Sequence, residues 1–86
     1  MGNYKVLISA SAEKTIRRIP KKEVHHIMNT IQRLAGEPFP LGARKLVGYD
    51  NILRIRVGRY RIIYEIEGRK LLVLILKIGH RKDVYR

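Results

Sequence analysis

The segment that most restricts the fold is residues 53–64, where apolar and arginine side chains alternate ahead of the dipeptide Gly58-Arg59. This alternation has the period of a half-buried β-strand, and a two-residue Gly-X connection favours a type II′ hairpin turn. In such a hairpin Arg56 lies opposite Arg61, and Arg54 lies two residues further along the same face. The pattern therefore predicts one apolar sheet face and one face that gathers three arginines.

The N-terminal half has helical rather than strand periodicity after an initial strand at Tyr4 to Ile8. Ser9 or Ser11 is a suitable N-cap for a first helix, which must end before Pro20. A second helix is predicted from apolar residues that recur at the spacing of one helical face, with Gly36 just past its C-terminal end. These residues are Val24, Ile27, Met28, Ile31, Leu34 and Ala35.

The C-terminal half is predicted to be mainly strands. A short strand is expected near Leu46, and the nearly continuous apolar run from Leu71 to Ile78 is typical of a central strand that is covered on both faces. The resulting order is β-α-α-β-β-β. The sequence thus predicts one α+β domain over residues 1–86, with two N-terminal helices packed on a largely antiparallel sheet.

The chain carries a large positive charge on a composition that can still fold. Its 86 residues are 45% hydrophobic, and 19 basic residues outnumber 7 acidic ones, for a net charge of +12. Residues 44–86 hold +8 of that excess. A polyanionic partner is expected, with nucleic acid first and an acidic protein second.

Several classes of site and location are disfavoured by the same composition. Without cysteine there is no disulfide framework or thiolate metal site, and the three histidines lack metal-ligand spacing. His25 and His26 are adjacent on a helix, diverge by about 100°, and are assigned a structural role. The longest apolar run, Leu71 to Leu76, is too short to span a bilayer. We expect a cytoplasmic protein without a metal, a small-molecule cofactor or a membrane partner.

The face occupied by the last strand depends on the length of the turn before it. A three-residue loop, at Gly68–Lys70 or Glu67–Arg69, places Lys77 and Arg81 on the arginine face. A two-residue loop places them on the opposite face, and the sequence leaves this choice open.

Three segments together resemble the RelE/ParE toxin superfamily, and its RelE branch in particular. They are the hairpin at residues 53–64, the ending Gly79-His80-Arg81-Lys82-Asp83-Val84-Tyr85, and the opening Ser9-Ala10-Ser11-Ala12-Glu13-Lys14. Lys45-Leu46 and Gly48 also fit the family, and the resemblance covers essentially the whole chain.

The resemblance implies a toxin of a type II toxin–antitoxin system that enters the ribosomal A site and cuts messenger RNA there. In that reaction a 2′-hydroxyl attacks the adjacent phosphate, without a metal, and leaves a 2′,3′-cyclic or 3′-phosphate and a free 5′-hydroxyl. The implied partners are the ribosome, its messenger RNA and a RelB-like antitoxin. The family's catalytic positions match Arg54, Arg56, Arg61, Arg81 and Tyr85.

The resemblance also implies a division of roles. Arg61 stabilises the phosphorane, Arg54 and Arg56 clamp phosphates, and Arg81 lies at the leaving group. Better-known RelE members have lysines at positions 54 and 56, and an arginine does not release its proton as a lysine can. The general base is therefore Tyr85 or His80.

Further basic residues are candidates for RNA contact around this set. They are Arg44, Lys45, Arg59, Lys77, His80 and Lys82. Two alternative functions stay open. One is a ParE-like poison of DNA gyrase, and the other is a non-catalytic module that binds RNA or the ribosome.

Overall fold

The computed structural model describes residues 3–80, and in that range two helices cover one face of a five-stranded sheet. The strands are β1 (Lys5–Ile8), β2 (Arg44–Lys45), β3 (Ile52–Val57), β4 (Tyr60–Glu67) and β5 (Leu72–His80), and the helices are α1 (Ala10–Arg18) and α2 (Lys21–Gly36). The sheet order is β1-β5-β4-β3-β2. Only β1 and β5 pair in parallel, and the other three pairings are antiparallel. The predicted α+β class and largely antiparallel sheet are confirmed.

Local signals explain where α1 begins and ends. Ser9 is its N-cap, and the Ser9 hydroxyl oxygen accepts from the Ala12 amide at 3.0 Å. Pro20 follows the C-cap residue Ile19, whose extended backbone is the conformation that a following proline favours. Of the two predicted caps, Ser9 is therefore the one used. Gly36, predicted to lie just past the second helix, is instead the last residue of α2.

The helix-covered face forms the core. The apolar stripe of α2 contributes Ile27, Ile31 and Leu34, which are buried against the inner residues of the sheet. Tyr64 is fully buried there, and its hydroxyl donates to the carbonyl of Pro38 at 2.9 Å. This bond ties the loop after α2 to the centre of the sheet.

The opposite face of the sheet has no helix on it within residues 3–80. On this face Leu74 is half-buried and its neighbour across the β1–β5 pairing, Leu7, is 44% exposed. The expectation that the strand at Leu71 to Ile78 is covered on both faces is therefore wrong for the described part of the chain. The run is apolar because β5 lies between two other strands and one of its faces forms the core.

The turn between β4 and β5 is longer than either predicted version. Gly68–Lys70 form a single 3-10 turn, and Leu71 adopts the left-handed conformation with φ 49° before Leu72 pairs with Glu67. The loop thus has four residues.

In the described range, no helix is long and apolar enough to cross a membrane.

Candidate functional site: a cationic sheet face

The hairpin pairs as the alternation predicted. Arg56 is opposite Arg61, Arg54 is opposite Ile63, and Val57 is opposite Tyr60. Gly58 has φ 60° while the backbone of Arg59 stays at negative φ, as a type II′ turn requires. The three arginines Arg54, Arg56 and Arg61 therefore share the face of the sheet that faces away from the helices.

Neighbouring strands extend this cationic face on both sides. Arg44 of β2 is opposite Arg54, and Lys77 of β5 is opposite Ile63. We call Arg44, Arg54, Arg56, Arg61 and Lys77 the arginine face. Arg54 and Arg61 are half-buried, whereas the other three are exposed.

Lys77 lies on this face because of a structural feature that the sequence pattern does not reveal. A four-residue loop alone would place Lys77 on the helix side, because an even loop keeps the alternation in phase. Leu76 is an extra residue, a β-bulge between the pairs Tyr64–Ile75 and Ile63–Lys77. The bulge shifts the alternation by one residue and places Lys77 on the arginine face. The sequence had predicted this position only after an odd-numbered loop, and that condition is wrong.

Ser9 stabilises the bulge from the helix side. The Ser9 hydroxyl donates to the Leu76 carbonyl at 2.8 Å while its oxygen caps α1, and the Ser9 amide donates to the Ile75 carbonyl at 2.9 Å. A bulged residue is left out of the ladder, so its carbonyl needs another donor. One hydroxyl group therefore links the start of α1 to the position of Lys77.

Within residues 3–80, the acidic residue nearest to the Arg56–Arg61 pair on this face is engaged elsewhere. Glu65 is next after Ile63 on the arginine face, and its carboxylate accepts from the Asn51 side-chain amide at 3.2 Å. Its neighbour Glu67 is the largest cause of a raised pKa at Glu65; burial also raises this pKa, and the Asn51 contact lowers it. The acidic end of β4 thus lies apart from the Arg56–Arg61 pair.

Other candidate residues are placed elsewhere. Lys45 pairs with Leu53, whose side chain is in the core, so Lys45 is on the helix side of the sheet edge. Arg59 is exposed at the hairpin tip. His80 is opposite Tyr60 on the helix side, with the two ring centroids 5.9 Å apart and the planes at 76°. Arg81, Lys82 and Tyr85 lie outside the described residues.

A groove lies apart from the arginine face, and sequence reasoning missed it. A groove of about 550 Å³ separates α2 from the tip of the β3–β4 hairpin. His26, which was assigned a structural role, is exposed and lines this groove, and its ring meets that of His25 edge to face. Positions 23, 26, 30 and 33 are polar and recur at helical spacing, so they share one face of α2. This pattern was the sequence signal that could have indicated a polar surface here. Within residues 3–80, no three His, Cys, Asp or Glu side chains cluster closely enough to hold a metal ion.

Comparisons with known proteins agree on one family. Residues 6–85 match the family model described as the ParE toxin of the type II toxin–antitoxin system parDE. Toxin RelE3 of Methanocaldococcus jannaschii is 32% identical over 85 residues, which cover 94% of each chain. Toxin RelG of Mycobacterium tuberculosis is 29% identical over 87 residues, covering 96% of this chain and 97% of the relative.

A solved structure matches the fold just as completely. The archaeal RelE–RelB complex from Pyrococcus horikoshii OT3 contains a chain that is 28% identical to this one, with a TM-score of 0.84. The match covers 95% of this chain and 99% of that one. The predicted resemblance is thus confirmed: the chain belongs to the RelE/ParE superfamily and is a RelE-type toxin of a type II toxin–antitoxin system.

Proposed function

We propose that this toxin is an endoribonuclease that cuts messenger RNA in the ribosomal A site. The observation that carries the proposal is the directly opposed pair Arg56–Arg61, flanked by Arg54 on the open face of the sheet. Opposed like charges destabilise a sheet, so two guanidinium groups in this position favour a bound anion. An anion between the two guanidinium groups would reverse that repulsion.

RNA phosphate is the anion that best fits this arrangement. Guanidinium groups form paired hydrogen bonds to phosphate oxygens, and they stay charged at any pH at which the protein functions. In the proposal Arg61 stabilises the phosphorane, and Arg54 and Arg56 hold phosphates. The RelE names of the relatives support this activity.

The reaction needs only groups of the RNA and the protein. The 2′-hydroxyl oxygen bonds to the adjacent phosphorus while its proton passes to a base, and the P–O5′ bond breaks as the 5′-oxygen takes a proton. Products are a 2′,3′-cyclic phosphate and a 5′-hydroxyl. Because His80 is on the opposite sheet face from the arginines, we assign the base to Tyr85 and the leaving-group position to Arg81, both on the family resemblance alone.

We further propose a RelB-like antitoxin as the inhibitory partner. The crystal structure from Pyrococcus horikoshii is of a RelE–RelB complex. In this chain Leu41 and Val47, on either side of β2, are 101% and 98% exposed. Fully exposed aliphatic side chains beside a cationic face suit a partner that has both apolar and acidic residues.

The test is to map messenger ends by primer extension in a translating extract. The wild-type toxin should produce new ends at A-site codons, and Arg61→Ala should lower cleavage by about 100-fold or more, because it removes charge stabilisation from the transition state. Arg69→Ala is the matched control, since Arg69 is an exposed cation on the 3-10 turn. Thermal unfolding of both variants establishes that they fold. Equal cleavage by Arg61→Ala and Arg69→Ala would refute the role of the arginine face.

The matched family model supports a second candidate, because its description is that of a ParE toxin. A gyrase poison should leave messenger RNA intact and accumulate broken DNA on purified gyrase. A non-catalytic binding module should block translation without either product. The same extract, together with a gyrase supercoiling assay, separates these functions.

A further inference from the structure

The groove between α2 and the hairpin tip has the composition of a binding site for a small polar ligand. Its volume of about 550 Å³ lies within the range of about 300–1,000 Å³ that is usual for such sites. The helix contributes charged, amide and imidazole side chains, and the hairpin contributes a guanidinium group and a phenol. The principal lining residues are Glu23, His26, Asn29, Arg33, Arg59 and Tyr60.

The carboxylate of Glu23 is the one acidic group in this lining. The pKa of Tyr60 is raised by burial and, next, by the Glu23 carboxylate, which accepts from the Tyr60 hydroxyl. The Tyr60 ring is in turn flanked by the ring of His80. Glu23 is thus held in place by a side chain that is itself positioned by the sheet.

The charges around Glu23 favour a ligand that carries both an anion and hydrogen-bond donors. Arg33 and Arg59 supply two cations to the groove, and guanidinium groups bind phosphate. A carboxylate accepts hydrogen bonds but donates none when ionised, so it repels phosphate and attracts N–H groups. A nucleotide has both parts, with phosphate on one side and the edge of the base on the other.

The location of the groove connects it to the arginine face. The pair Val57–Tyr60 borders the groove and is the next pair after Arg56–Arg61, about 3.3 Å further along the strands. The groove and the arginines are on opposite faces, and Arg59 lies at the tip between them. An RNA strand that passes over this tip can place one phosphate on the arginine face and a neighbouring base in the groove.

We propose that this groove binds a single unstacked RNA base next to the phosphate held by the arginine face, and that Glu23 selects guanine. Guanine presents two adjacent donors, N1–H and N2–H, to the two oxygens of a carboxylate. Adenine and cytosine present one amino group beside a ring nitrogen that repels the carboxylate, and uracil has one N–H between two carbonyls. Proteins commonly read unstacked RNA bases by their Watson–Crick edges. The inference rests on the proposed RNA-cleaving function.

The test measures binding rather than cleavage, on the intact toxin without ribosomes. The probes are short 2′-O-methyl RNAs, which lack the attacking hydroxyl, with one G, A or C in a U background. Fluorescence anisotropy should show about 10-fold tighter binding of the G probe, as expected for one base-edge contact to a carboxylate. Glu23→Gln should abolish this preference, and Tyr60→Phe should weaken it.

Glu13→Gln is the matched control, because Glu13 is an exposed carboxylate on α1 that does not line the groove. It makes the same change in net charge and should keep the preference for guanine. Equal binding of all probes by the wild type, or equal behaviour of Glu23→Gln and Glu13→Gln, would overturn the proposal. So would a Glu23→Gln variant that loses antitoxin binding but keeps its preference for guanine.

The outcomes also separate this proposal from the proposed function. A wild-type toxin that cuts messenger RNA but binds every probe equally refutes the groove alone. A toxin that never cuts, yet shows a Glu23-dependent preference for guanine, refutes the cleavage function alone.

Discussion

The two faces of the sheet are made from the same strands and have opposite properties. On the helix-covered face Ile62, Ile75 and Ile78 are essentially inaccessible to solvent. On the arginine face the strands carry five cations, and like charges oppose each other directly. The first face accounts for stability, and the second is tolerated at a cost to stability. We therefore expect substitutions on the helix-covered face to affect mainly stability and substitutions on the arginine face to affect mainly binding.

The largest expected difference is between two neighbours on β5. Ile75→Ala should lower the free energy of unfolding by about 2–5 kcal/mol, because Ile75 is fully buried and its loss leaves a cavity. Leu74→Ala removes a side chain of similar size from the half-buried opposite face and should cost about 1 kcal/mol. Urea denaturation measures both. Equal losses would mean that the two faces are equally important for stability.

Tyr64→Phe tests a polar group within the apolar face. Losing the buried hydrogen bond to the Pro38 carbonyl should cost about 1–3 kcal/mol. Burial raises the pKa of Tyr64 from 10.0 to about 12. Since the unfolded chain ionises first, the wild type should lose stability as the pH rises from about 10 to 12.

The Tyr64→Phe variant should lose less stability over that interval, as measured by thermal unfolding. Tyr49→Phe is the control, because Tyr49 is 55% exposed. If the two variants lose stability equally between pH 10 and 12, the burial of Tyr64 is not the cause.

Ser9→Ala tests whether the Ser9 hydroxyl connects the start of α1 to the bulge that positions Lys77. It removes the cap of α1 and the donor to the bulged Leu76 carbonyl, and it should cost about 1–2 kcal/mol. Amide hydrogen exchange should become faster around Leu76 as well as in the first turn of α1. Ser11→Ala, at an exposed position of α1, should change neither. Faster exchange in α1 alone would show that the bulge does not depend on Ser9.

The smallest expected effect has the opposite sign. Arg56→Gln should raise the free energy of unfolding by about 0.2–1 kcal/mol, because it relieves the repulsion with Arg61. The gain should shrink in high salt, which screens exposed charges. Arg69→Gln, away from the opposed pair, should show no gain. A destabilised Arg56→Gln protein would contradict the view that the arginine face opposes folding.

The sequence predicted those parts of the fold and site that depend on local rules. The hairpin register follows from a two-residue turn, and the faces of Arg54, Arg56 and Arg61 follow from the register. The face of Lys77 could not be predicted by counting the loop, because the bulge at Leu76 reverses the alternation that the four-residue loop sets. The groove was missed because its walls come from α2 and the hairpin tip. Tertiary packing brings these two elements close together, and local sequence rules do not predict it.

The bulge at Leu76 has a consequence for how this chain can change in length. A one-residue deletion at Leu76 would remove the bulge and leave Tyr64–Ile75 and Ile63–Lys77 as consecutive pairs, so Lys77, Ile78 and Gly79 would keep their faces. This interval can therefore lose one residue without moving Lys77 off the cationic face, whereas any other one-residue change flips the residues that follow it unless a bulge or the turn compensates. Functional relatives that are one residue shorter in this interval should lack the bulge, and their alignments should place the gap at Leu76.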